Sequence, residues 1–151
     1  MERSILVLLH VLGATVWVGG HLVLALSVLP RALREDTPRR IQEYEEAFER
    51  IGIPALLLQV ATGLRLAWLY APPSTWLGFD GHVPKHITLK LLALAATVAL
   101  AVHARLTLVP KLGANDGGVT LRKLAWHIVA ITIVAVFFVL VGVSLRAGGL
   151  L

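Results

Sequence analysis

The chain has no cysteine, and its one methionine is the initiating Met1. Disulfides, thiolate ligation of a metal and a thioether pathway for cuprous ions are therefore excluded, and soft-metal chemistry is not expected. Low-complexity segments are absent, and no convincing internal repeat is read from the sequence. There is also no basic run interleaved with aromatics, so the formal net charge of +5 does not point to nucleic acid. The basic residues gather at the ends of apolar stretches, where they set membrane topology.

What is abundant is apolar sequence in long blocks: 57% of residues are hydrophobic and the mean hydropathy is +0.79. A soluble domain of 16.3 kDa cannot cover so much apolar surface, so the solvent for most of the chain is lipid. The 151 residues accommodate four spans of about 20 residues each and no further domain of ordinary size. The predicted fold is all-α: one transmembrane domain over residues 1–151, a four-helix bundle with spans at about 4–30, 47–70, 86–110 and 120–146. Pro30, Pro72, Pro73, Pro84 and Pro110 are read as boundaries, and Pro54 as a kink or interfacial turn inside the second span.

Loop charge orients the bundle. The first connection carries Arg31, Arg34, Arg39 and Arg40, and the third is flanked by Arg105, Arg122 and Lys123, whereas the second holds only Asp80 and Lys85. The positive-inside rule places the first and third connections in the cytoplasm and both termini outside. The apolar stretch Ile5 to Leu29 is too long for a signal-peptide core, so the first helix is expected to be a retained span.

An ionisable side chain within a span is a functional hypothesis by default. The candidates are His10, His21, Gln59, Arg65, Lys90, His103 and His127. On the first helix His10, Trp17 and His21 fall within about 20° of one line. On the third, His86, Lys90, Thr97 and Ala101 share a face, from which His103 is turned by about 140°. By depth, His10, His86, Arg65 and Lys90 form an outer set, and His21, His103 and His127 an inner set about 16 Å away. Trp68, Trp76 and Trp126 read as packing or interface residues, while Trp17 sits at mid-depth between two histidines.

Facing histidines are how a helix bundle ligates haem iron, and cationic side chains at that level pair with propionates. On this reading His10 and His86 are the axial candidates, and Arg65 and Lys90 the propionate partners. The inner histidines are candidates for a second haem or a metal. The competing use of the same imidazoles is a copper site, cupric ion or zinc suiting imidazole nitrogen. The His82 and His86 spacing adds little to it, because Pro84 is expected to interrupt the helix between them. The plain alternative for each histidine is an interhelical or interfacial hydrogen bond, and for Arg65 and Lys90 it is snorkelling to the headgroups.

The segment LHVLGATVWVGG, residues 9–20, resembles the first helix of the CopD-like copper-resistance superfamily, which includes HemJ-type protoporphyrinogen oxidases; the shared positions are His10, Trp17 and Gly20. Phe48–Glu49–Arg50, Ile53–Pro54–Ala55 and Gly63 are similar to the oxidase branch's second helix. Lys90–Leu91 and Leu121–Arg122 are similar to both branches, and the run from His103 to Lys111 is closer to the copper-resistance branch. The resemblance implies that His10 is a haem b ligand and that Lys90 is a catalytic lysine in the same pocket. The chain departs from the oxidase pattern at Thr88, where that branch has histidine, and at Val102, where it has tyrosine.

Three functions follow as expectations. The first is a haem b-binding membrane oxidoreductase or electron-transfer protein of the inner membrane, acting on a porphyrinogen or a quinone, with a quinone or other membrane carrier as electron partner. The second is a copper-binding or copper-transport protein of the copper-resistance type. The third is a structural or assembly subunit. Membrane lipid is a partner in all three, and association into a homo-oligomer stays open.

Overall fold

The computed structural model describes residues 1–111 and 117–148. Four helices are long and apolar enough to cross a membrane: α1 (Glu2–Arg34), α2 (Arg39–Tyr70), α3 (His82–Lys111) and α4 (Gly117–Ala147). Among the described residues there is no strand. The large apolar side chains facing outward, such as Leu8, Leu26, Leu57, Leu92 and Ile133, are those of a bundle solvated by lipid.

The helices outrun the spans read from sequence, for local reasons. α2 begins at Arg39 because its first turns are an exposed, charged helix in which Arg39–Glu43 and Arg50–Glu46 are i,i+4 ion pairs. Pro54 does not break it. At the preceding corner Arg40 bonds Glu35, which holds that carboxyl below its usual value. Pro84 falls in the first turn of α3, where its missing N–H has no intrahelical partner, so the helix starts at His82. Pro30 lies within its helix rather than ending it, whereas Pro110 stands one residue before the end of α3 at Lys111, the boundary expected there. Each follows a π-turn, Leu24–Val28 and Ala104–Leu108, in which i→i+5 bonding widens the helix ahead of the proline ring.

The two π-turns are 80 residues apart, and the sequence around them repeats: Leu-Ser-Val-Leu-Pro-Arg at 26–31 and Leu-Thr-Leu-Val-Pro-Lys at 106–111. The same interval relates buried Ile41 to Leu121 and Gly13 to Ala93. The two helical hairpins thus share a π-turn and the proline segment after it at one interval.

α1 packs along α2, α3 along α4, and α1 along α4. α2 and α3 have little direct backbone approach and are joined at their ends, by Glu49–Arg105 at 2.9 Å and by Trp68 against Trp76 of the connection. At the end holding the first connection an apolar core gathers Leu24, Leu29, Ile41, Leu108, Leu121 and Ile128. Beyond it the buried positions turn polar: Gln59, Thr62, Thr97, Thr132, His86 and Ser144. Four spans put both termini on one side. We expect reporter fusions in the 111–119 connection to be cytoplasmic and a fusion after Leu151 to be external; the reverse pattern would overturn the loop-charge assignment. Residues 112–116 of that connection lie outside the described residues.

Candidate functional site

The polar centre is built where α1 meets α2. His10 Nδ1 lies 2.9 Å from the Gln59 carbonyl and 3.2 Å from Thr62 Oγ1. A carbonyl accepts only, so the proton is on Nδ1 and Nε2 carries the lone pair. No hydrogen bond engages that Nε2 among the described residues. The ring lies against Gly63, where a Cβ would come within 2.9 Å of His10 Cε1. Gln59 Oε1 is buried and has no hydrogen-bond partner among the described residues.

Lys90 reaches this centre from α3. Its Nζ would lie 3.5 Å from a Cβ on Gly142 of α4, and it is near enough to His10 for the two to interact electrostatically. Among the described residues Lys90 makes no hydrogen bond or ion pair. The 80-residue interval relates His10 to Lys90, and Thr62 beside His10 to Gly142 beside Lys90. The two hairpins thus present an imidazole and an amine from equivalent positions. Gln59 is among the candidates of the sequence; Thr62 and Gly142 are not, and the 80-residue interval is the signal that finds them.

The remaining members of the outer set do not join it. His86 is fully buried and bonded at both nitrogens, Nδ1 to the His82 carbonyl at 2.6 Å and Nε2 to Ser144 Oγ at 3.0 Å. It staples α3 to α4. Contrary to the expected interruption at Pro84, His82 and His86 do align, their rings 4.3 Å apart, but His82 Nε2 is directed to the Leu145 carbonyl. Arg65 is exposed and held by Glu2, with Nη2 at 2.7 Å and Nε at 2.9 Å from Oε1, so its charge is paired at the surface rather than turned to a propionate.

The inner set divides in two. His21 donates from Nδ1 to the Trp17 carbonyl at 2.9 Å and sits among Trp17 and Phe48, an aromatic cluster extended by Tyr44. Trp17 therefore belongs with His21. His103 and His127 lie elsewhere, against each other on the α3–α4 surface. Among the described residues no three of His, Cys, Asp or Glu converge as a metal cage.

Four apolar helices with a polar centre define a multi-pass membrane protein of the helical-bundle class. The chain belongs to the copper resistance protein D (CopD) family, which matches residues 42–145. That match takes in most of α2, α3 and α4 with Lys90, and begins after α1 and His10. No curated protein and no solved structure matches the chain.

Proposed function

We propose that this protein handles copper in the inner membrane, with His10 as the ligand that meets the ion in the bundle centre. The reading rests on family membership together with one observation: the Gln59 carbonyl holds His10 in the tautomer whose Nε2 is available. A carbonyl behind Nδ1 is the usual outer-shell partner of a metal-binding imidazole. Imidazole nitrogen suits cupric ion, and in a chain without cysteine it replaces thiolate. Copper here is cargo. Lys90 supplies countercharge for an anionic co-ligand that accompanies it, and the buried Gln59 amide a further polar contact.

One observation favours a second reading, a haem b oxidoreductase passing electrons to a quinone or other membrane carrier. An unpaired amine at membrane depth is costly, and a carboxylate such as a haem propionate would offset that cost at Lys90. His10 would then hold the haem iron, and Lys90 would pair with its carboxylate. Against it, His86 and Arg65 are already bonded elsewhere.

Visible spectroscopy and metal analysis of the detergent-purified protein separate the two. The copper reading expects a protein without a Soret band that takes up copper, and that loses core copper in His10→Ala. A Soret band with low-spin b-type features and stoichiometric pyridine haemochrome would overturn it in favour of haem.

A further inference from the structure

On the outside of the α3–α4 pair, toward the end bearing the third connection, two imidazoles meet. His103 Nδ1 is 2.9 Å from His127 Nε2. The rings are within 12° of parallel with centroids 4.9 Å apart. Because the nitrogens are closer than the about 3.5 Å of a face-to-face contact, the rings meet edge to edge. The other nitrogen of each ring faces an acceptor. His127 Nδ1 donates to the Lys123 carbonyl at 3.0 Å, which leaves Nε2 as a lone pair. His103 Nε2 lies 3.4 Å from Thr107 Oγ1, whose own proton goes to the His103 carbonyl at 2.5 Å. Between the two rings there is therefore a place for one cation, a proton or a metal ion.

We propose that His103 and His127 form a cupric-ion site at the cytoplasmic membrane surface, separate from the bundle centre. A nitrogen separation of 2.9 Å is that of two cis ligands each about 2.0 Å from one ion. On binding, the His103 proton moves from Nδ1 to Nε2, where Thr107 Oγ1 accepts it, and His127 keeps its proton on the Lys123 carbonyl. The neutral pair releases no net proton, and both rings gain the outer hydrogen bonds that orient metal-bound imidazoles. Water completes the coordination at the headgroup level, which the exposed Glu49–Arg105 ion pair and the neighbouring Trp126 mark. Arg105, two residues from His103, has its charge paired with Glu49. Of the divalent ions that imidazole takes, cupric ion is bound most tightly. The site does not depend on what His10 binds.

The test is a cupric sulfate titration of the full chain in lipid nanodiscs, read by electron paramagnetic resonance. The wild type should show a signal split by two imidazole nitrogens. His103→Gln and His127→Gln should each abolish that splitting, Thr107→Val should weaken binding by about tenfold, and the two-nitrogen splitting should persist in His10→Ala, which removes only what the bundle centre contributes. No two-nitrogen signal in the wild type, or its survival in either glutamine variant, overturns the site. So does its loss in His10→Ala, which would put the ion in the bundle centre. If a glutamine variant fails to fold, undiminished affinity in Thr107→Val overturns it.

Discussion

His10→Ala should empty the bundle centre of its ligand while leaving the protein inserted. Alanine is well tolerated in a lipid-solvated helix, and the lost imidazole carries the ring nitrogen that no hydrogen bond engages among the described residues. The expected loss of affinity exceeds the about 10–100-fold that follows from removing an outer-shell partner. Lys90→Ala should act differently, removing a charge but no ligand nitrogen, and weaken an anionic ligand by about 1.5–3 kcal/mol, roughly tenfold to a hundredfold. Arg65→Ala should leave binding unchanged, because that side chain is committed to Glu2. Gly63→Ala should mimic part of the His10 effect by pushing the ring from its seat. Metal content and pyridine haemochrome, measured at equal protein, decide the outcome. Full retention in His10→Ala would move the ligand role to His21, whose Nδ1 is likewise held by a carbonyl.

Gly13→Ala should be the most destabilising of the single-methyl additions. A Cβ there would sit 2.8 Å from the Ala55 carbonyl oxygen and 3.1 Å from Gln59 Cβ, so backbone rather than a side-chain tip opposes it. The helices must separate, at a cost of about 1–3 kcal/mol. Gly20→Ala meets the Phe48 ring at 2.1 Å and is expected to be severe too, but relieved by Phe48→Leu, since a side chain is the obstacle. Gly19→Ala has open space and should be neutral or slightly stabilising through helix propensity. Denaturant unfolding in detergent ranks the three; equal stability for Gly13→Ala and Gly19→Ala would contradict the close α1–α2 approach.

Much of the candidate site was legible one residue at a time and little of it as a constellation. His10 and Lys90 stand out because an ionisable group in an apolar run needs a reason, and both lie at the centre. His86 stands out equally and is a staple, because its partner Ser144 lies 58 residues away and a serine in an apolar helix attracts no notice. Arg65 looked available because Glu2 is 63 residues distant. Helical periodicity gives the face of a residue on its own helix but not the partner opposite, which is also why Trp17 was grouped with His10 instead of Phe48.

The amino-acid sequence by itself determined that this is a lipid-solvated chain of four helices with its termini on one side, because hydropathy and loop charge are sums over local composition. It also determined which side chains lie at costly depths. Only the tertiary structure decided which of those are bonded to a neighbouring side chain or carbonyl and which are not. Hydrogen-bond partners across helices depend on rotation and register, which a one-dimensional pattern does not encode; here they spent His86 on Ser144 and Arg65 on Glu2, paired His103 with His127, and left His10 Nε2 and Lys90 without a hydrogen bond among the described residues.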